Sequence, residues 1–299
     1  MTEVEHGNFL PPAGPPPLLS HDQLFDLTRQ GWLRVSLPDT LLEDITALTK
    51  QSNSLFDKPH DEKRQLYPAR QGTEYGYYAV ENEKEYVTFR CRVHADSALE
   101  DAARRVWHGA AKFLYRILCD LARAENLTPA MWDDLLDGCL TVPESTEQMT
   151  PTLLRTFRYY PGSGFADKHT DLGLLTLCVG TDRGLQVQDI SGEEATYIDA
   201  NGPVVLVASY LAVLSNGAIR PAAHRVVETA RGRSSIVFAL RPSLKHPIDL
   251  SNFGGEGTIH AKDLWEEIQS RTVNINAAKN IRDFQRQRQS NRQRAKGTG

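Results

Sequence analysis

From about residue 152 to about residue 241 apolar and polar residues alternate in short runs, each broken by Gly, Pro, Asn or Asp. A strand turns successive side chains to opposite faces, so such runs predict strands with one buried face. Many short strands at this spacing predict an all-β barrel or jelly roll. Pro161-Gly162-Ser163-Gly164 reads as a turn, and Thr181-Asp182-Arg183-Gly184 and Ala200-Asn201-Gly202-Pro203 read as hairpin turns. Val204-Val205-Leu206-Val207-Ala208 reads as a fully buried strand.

This stretch carries His169-Thr170-Asp171 and, on a later strand, His224. Residues two apart on a strand share a face, so His169 and Asp171 stand side by side. A second histidine closes three corners of an octahedron. Two neutral nitrogens and one anionic oxygen suit Fe(II) and leave three positions open. An isolated histidine is more often a hydrogen-bonded structural residue, and His-x-Asp alone would favour structure. The context downstream reverses that balance. Arg233 and Ser235 also share a face, at the head of the alternating run Ser235-Ile236-Val237-Phe238-Ala239-Leu240. A guanidinium fork beside a hydroxyl suits two-point binding of a carboxylate.

These residues resemble the Fe(II)- and 2-oxoglutarate-dependent oxygenases of the isopenicillin N synthase and anthocyanidin synthase type. The resemblance is carried by His169-Thr170-Asp171-Leu172-Gly173-Leu174-Leu175-Thr176-Leu177, Gly184-Leu185-Gln186-Val187, Leu214-Ser215-Asn216-Gly217, Ala223-His224-Arg225-Val226, Arg233-Ser234-Ser235 and Leu154-Arg155-Thr156-Phe157-Arg158-Tyr159-Tyr160-Pro161. Weaker similarity runs back to Gly31-Trp32-Leu33, so the resemblance covers about residues 20–245. It implies a mainly β fold with flanking helices, a double-stranded β-helix or distorted jelly roll of the clavaminate synthase-like kind, with the metal inside one mouth. It also implies Fe(II), 2-oxoglutarate and O2 as cofactors. His169, Asp171 and His224 would ligate the metal. Arg233, Ser235 and Tyr160 would meet the far carboxylate of 2-oxoglutarate. Many members carry asparagine where this chain has Arg158, so no cosubstrate role passes to Arg158.

The resembling enzymes mostly oxidise small molecules of specialised metabolism. Fungal members hydroxylate methyl groups or expand rings on aromatic polyketides. Tyr77, Tyr86, Phe165 and Tyr210 would suit a flat aromatic guest, and Arg90, Arg92 or Arg158 a carboxylate or phenolate on it. Three rivals stand beside this reading. Relatives of the same fold oxidise substrates with Fe(II) but without 2-oxoglutarate. A zinc hydrolase also uses two histidines and a carboxylate, and a non-catalytic jelly-roll binding protein needs none of them.

Composition sets the outer bounds. At 299 residues with 40% hydrophobic residues the chain can bury one sizeable barrel. Its formal charge of −4 lacks the basic footprint of a nucleic-acid binder. Cys91, Cys119, Cys139 and Cys178 form no CxxC pair, which fits a reducing compartment. The N-terminus has no signal-peptide pattern, and no apolar run reaches the roughly 20 residues of a membrane span. A soluble cytoplasmic enzyme is expected, acting on a small molecule without nucleic acid or membrane, as a monomer or weak dimer.

In chain order, residues 1–19 read as a Pro-rich disordered arm, 20–150 as a helical and strand support region, 151–245 as the oxygenase jelly-roll core and 246–299 as a C-terminal helical segment with a basic tail. Ser20 caps a short helix ended by Gly31, and a strand runs over Trp32–Leu37. Leu41, Leu42, Ile45 and Leu48 mark a helical face. Tyr75-Gly76-Tyr77-Tyr78 reads as an aromatic loop and Glu83-Lys84-Glu85 as a solvated turn. The next strand places Tyr86, Thr88, Arg90 and Arg92 on one face. Apolar residues at steps of three and four predict a long core helix over 96–124, and Thr128 caps a shorter one. Leu264, Trp265 and Ile268 form a later apolar stripe. Arg282, Arg286, Arg288, Arg292, Arg294 and Lys296 against Asp283 read as a solvated tail.

Overall fold

The computed structural model describes residues 14–70, 72–94, 97–190 and 196–296, with side chains up to 291. Residues 1–13 of the expected arm, and the side chains of Arg292, Arg294 and Lys296, lie outside the described residues. The support region contributes α1 (His21–Gln30), β1 (Trp32–Arg34), α2 (Asp39–Phe56), α3 (His60–Leu66), β2 (Gly76–Val80), β3 (Lys84–Phe89), α4 (Ala98–Ala124) and α5 (Asp133–Leu136). The core adds β4 (Leu153–Tyr159), β5 (Ala166–His169), β6 (Leu175–Gly180), β7 (Leu185–Asp189), β8 (Thr196–Asp199), β9 (Val204–Val207), α6 (Ser209–Leu214), β10 (His224–Val226) and β11 (Arg233–Leu240). The C-terminal segment forms β12 (Pro247–Asp249), β13 (Thr258–His260), α7 (Ala261–Ser270) and α8 (Lys279–Lys296).

Two antiparallel sheets face each other. The larger has seven strands in the order β1-β9-β6-β11-β4-β3-β2, and the smaller has four in the order β5-β10-β7-β8. This is the double-stranded β-helix with flanking helices. β6 and β7 lie in different sheets, as do β8 and β9. The turns 181–184 and 200–203 are therefore corners that carry the chain across the barrel, not hairpins. Alternation along a strand does not record which sheet it joins.

The large sheet buries both faces, which explains its two apolar cores. On β11, Ile236, Phe238 and Leu240 point to the helical layer, and Arg233, Ser235 and Val237 point into the barrel. Amphipathic α4 covers the helical side with Val106, Trp107, Ala110, Leu114 and Ile117. Trp107 meets Phe238 edge-on at 5.3 Å between ring centroids. Both side chains are fully buried, and burial of each contributes roughly 1.5–3 kcal/mol. Ser20 and Gln23 close a capping box on α1, and Gly31 ends that helix at φ 84°. A Cβ at Gly31 would stand 2.6 Å from the Arg220 carbonyl, so the helix can pack this closely on the core only with glycine there.

Several expectations change. Tyr75-Gly76-Tyr77-Tyr78 is no loop, since Gly76–Val80 forms edge strand β2. Glu83-Lys84-Glu85 is no solvated turn, as all three are buried, Lys84 completely. Each charge there has a partner or acceptor from another element, which local sequence cannot show. Arg282, placed in a solvated tail, is 1% exposed. It makes a bidentate contact to Glu83 at 2.9 and 2.7 Å. Its Nε also lies 3.2 Å from Asp167, which Arg286 meets at 2.8 Å. The strand expected over Trp32–Leu37 ends at Arg34. Among the described residues no helix is long and apolar enough to cross a membrane.

Candidate active site

His169 ends β5 and His224 begins β10, directly across the ladder in the small sheet. Their ring centroids are 4.1 Å apart. Asp171 follows β5 by two residues, and its carboxylate lies 3.7 Å from His169 Nε2 and 3.9 Å from His224 Nε2. One ligand atom from each residue fits within 4.8 Å of the others.

The hydrogen bonds set which nitrogens face this point. His169 Nδ1 lies 2.7 Å from the Asp167 carbonyl, and His224 Nδ1 lies 3.0 Å from the Ala222 carbonyl. A carbonyl only accepts, so each Nδ1 carries the proton and donates it. Each Nε2 then presents its lone pair to the shared point, the arrangement that orients metal-binding imidazoles. Burial first, and then the neighbouring His224, push His169 down to about 3, so it is neutral at pH 7. Burial pushes the Asp171 carboxyl up, but the two histidines outweigh it and hold the group below its ordinary range. Asp171 Oδ2 is buried without a hydrogen-bond partner. Such an orphaned anionic oxygen is costly unless a cation meets it. Two neutral nitrogens and one carboxylate fit Fe(II), with the remaining positions open to the cavity.

The triad, Arg233 and Ser235 line one small cavity of about 50 Å³. Arg233 is 7% exposed, and its Nε donates to the Asp182 carbonyl at 3.2 Å. No carboxylate pairs with it among the described residues. Gly180 makes its position possible: a Cβ there would stand 2.0 Å from Arg233 Nη2. Gly180 is a site residue that sequence reasoning missed, although a glycine within an apolar strand signals close approach of another group.

Tyr160 needs correction. It does not line the cavity: it lies in a neighbouring surface groove with Asp57 and Arg158, whose wall Arg233 and Tyr159 also share. Tyr159 lines the cavity instead, opposite Arg233 in the ladder, with Phe157 opposite Ser235. The side-chain period of a strand is two, so a one-residue offset exchanges inside for outside. Arg155, also missed, faces the cavity for the same reason.

The substrate-contact expectations also change. Arg158 is committed to Glu85 at 2.6 Å and Asp57 at 2.6 Å on the outer face. Arg92 pairs with Asp101 at 3.0 Å. Arg90 donates to the Thr73 and Thr150 carbonyls. Tyr77 donates to Glu85 at 2.6 Å. Tyr210 is fully buried in the helical core, donating to the Ala261 carbonyl at 3.1 Å. Phe165 packs under the Arg282 guanidinium at 5.5 Å. Tyr86 reaches the site indirectly, stacked on Tyr78 and tilted against Phe157 with centroids 5.2 Å from each. The C-terminal segment supplies two wall residues that the sequence did not single out, Ile275 and Asn276.

Fold and site together define a double-stranded β-helix with a candidate metal centre inside the barrel. Residues 152–242 match the family model of the 2OG-Fe(II) oxygenase superfamily. A curated relative, the 2-oxoglutarate-dependent dioxygenase ecdG of Aspergillus rugulosus, is 31% identical over 101 residues. That match spans 31% of this chain and only 30% of the relative. A full-length Neurospora crassa protein, solved with α-KG and 5-formyluracil, superposes with a TM-score of 0.65 at 19% identity, covering 84% of this chain and 89% of that one. A 2OG-Fe(II) oxygenase family protein from Caulobacter crescentus gives 0.67 at 19% identity, covering 83% and 92%. At such identities the likeness is one of fold.

Proposed function

We propose that this chain is an Fe(II)- and 2-oxoglutarate-dependent oxygenase of a small organic molecule, releasing succinate and CO2. The observation that carries the reading is the pairing of two features in one cavity. One is a His–Asp–His set with an orphaned carboxylate oxygen. The other is a buried guanidinium that no acid meets among the described residues. A buried unpaired cation is costly, so this one implies an anionic ligand.

His169, Asp171 and His224 would hold the iron. Bound there with 2-oxoglutarate, it supplies an oxidant made from O2 that attacks a C–H bond. Arg233 and Ser235 would take the far carboxylate of 2-oxoglutarate, with Tyr159 beside them. The Asp167 and Ala222 carbonyls keep both Nε2 atoms aimed inward. Phe157, Leu185, Val226 and Val237 keep the walls apolar and limit water around the reacting atoms.

Within the superfamily we place the chain near the isopenicillin N synthase-like members of fungal specialised metabolism, acting on an aromatic or polyketide-derived metabolite by hydroxylation or ring expansion. Supporting this are the motif spacing, the likeness to ecdG, and an aromatic row from Tyr78 through Tyr86 and Phe157 to Tyr159. The test is incubation with Fe(II), 2-oxoglutarate and a panel of aromatic metabolites, measuring succinate. Succinate in step with oxidised product is expected. Product without succinate would assign an oxidase that dispenses with 2-oxoglutarate. Activity that survives strict anaerobiosis would assign a hydrolase.

A further inference from the structure

Beyond the metal ligands and Arg233, one more cation lines the cavity. Arg155 is 7% exposed and projects from β4 opposite Val237. Its guanidinium lies 5.1 Å from the Tyr86 ring and 5.8 Å from Phe157. Two of its nitrogens are engaged: Nε donates to Thr88 Oγ1 at 2.8 Å, and Nη2 meets Glu74 Oε1 at 3.1 Å. Nη1 has no protein partner among the described residues.

Glu74 is shared. Its other oxygen meets Arg241 Nη1 at 2.5 Å. Burial pushes its carboxyl up, but Arg241, Arg155 and Arg90 together hold it down at about 2. Among the described residues no second carboxylate pairs with any of these three arginines. Arg241 is itself 7% exposed, and the Nε atoms of Arg241 and Arg90 are buried without acceptors. Asp171, a further acid that feels Arg241, is committed to the metal point. Three guanidiniums against one carboxylate leave two positive charges unmatched around Glu74, and of the three Arg155 is the one that lines the cavity. Charges buried in this way are retained when a ligand completes them.

We propose that Arg155, held in place by Glu74 and backed by Arg241, binds a carboxylate on the substrate. Glu74 acts as a positioning residue: it fixes two guanidiniums and leaves one N–H group of Arg155 for the guest. The Phe157 ring, which lines the cavity beside Arg155 with Tyr86 behind it, selects an acid attached to a flat apolar body. This site is separate from Arg233, which serves the cosubstrate: Arg155 sits opposite Val237 in the ladder, whereas Arg233 lies at the far end of the same strand pair, opposite Tyr159. The substrate is therefore an aromatic acid, not a neutral metabolite. The inference rests on the oxygenase reading for what happens to the guest, but not for whether the guest binds.

Calorimetry on the metal-free protein tests it, with benzoate and phenylacetate against their methyl esters. A charge-assisted hydrogen bond lost in the ester predicts acids binding about tenfold to a hundredfold more tightly. This comparison needs no variant. Arg155→Gln leaves Glu74 paired with Arg241, so it strands no charge, and it should abolish the preference with the melting curve still cooperative. Equal affinity of acid and ester in the wild type overturns the proposal. So does a preference that survives Arg155→Gln and disappears in Arg233→Ala, because the acid then sits in the cosubstrate's place. A parallel anaerobic titration of Fe(II)-loaded protein with 2-oxoglutarate, followed by its absorption band, reads the oxygenase assignment separately. Cosubstrate binding without acid preference sinks this inference alone, and acid preference without cosubstrate binding sinks the oxygenase reading alone.

Discussion

Single atoms decide much of this site. Both Nδ1–H groups are spent on backbone carbonyls, so removing one imidazole leaves no replacement nitrogen for the metal. His169→Ala and Asp171→Ala should each abolish stoichiometric iron binding, read by metal analysis, while circular dichroism stays that of the wild type. Retained iron in either variant would remove that residue from the site. Arg233→Ala should raise the 2-oxoglutarate concentration for half-saturation by about tenfold or more, the loss of a charge-assisted bond. Gly180→Ala should act similarly, because its methyl would occupy the space of Arg233 Nη2. Tyr159→Phe should raise the same requirement severalfold, and Tyr160→Phe should leave it unchanged, since Tyr160 faces outward. The reverse result would restore the assignment made from sequence alone. His169 with Asp171, and Arg233 with Ser235, were legible because each pair has a spacing of two that puts both on one strand face, and His224 was legible through the family resemblance of its surrounding residues. Tyr159 and Arg155 were not, because the strand that carries them could be read in two registers.

At the scale of elements, α8 and the segment before it close a seam between the sheets. Arg282 ties the β2–β3 turn to β5 by meeting Glu83 and Asp167, and Ile275 and Asn276 become part of the cavity wall. Cutting a buried pair strands the acid left behind, at a cost of about 3–5 kcal/mol. Arg282→Ala should therefore lower stability to urea by about 3 kcal/mol and make the 271–279 link more sensitive to trypsin; unaltered stability would show that the strap is not anchored there. Lys84 belongs to the same seam. Burial pushes its ammonium down to about 8 from an ordinary value of 10.5. Between those values the unfolded chain binds more protons than the folded one, so stability rises with pH through that window. Lys84→Met should flatten the rise, measured as unfolding free energy at about pH 8 and about pH 10.5. A composition-based reading marks this tail as basic and solvated. Only the docking of α8 against the β2–β3 turn and β5 shows that its first arginine is buried.

At the scale of the molecule, one sheet serves two cores. Its outer face packs on α2 and α4, and its inner face builds the site. Phe238, paired with Trp107, belongs wholly to the outer core. Phe238→Ala should cost about 3–5 kcal/mol of stability and leave the 2-oxoglutarate requirement of the surviving folded enzyme unchanged. A shifted requirement would show that the outer core sets the position of Arg233 and Ser235 through β11. The N-terminal strands β1, β2 and β3 are hydrogen-bonded members of this same sheet, so the support region and the β-helix share one hydrogen-bonded frame.

Periodicity and spacing along the chain determined the barrel, the long helix α4 and the pairing of His169 with Asp171 and of Arg233 with Ser235, because those features depend on neighbours two to four residues apart. Tertiary structure alone decided which sheet each strand joins, which tyrosine faces inward, and that Glu83, Lys84, Glu85 and Arg282 are buried. It also brought Glu74, Arg155 and Arg241 together from three distant segments. The physical reason is the same in each case. Burial and charge pairing are set by what the fold places opposite a residue, and that partner is remote in sequence.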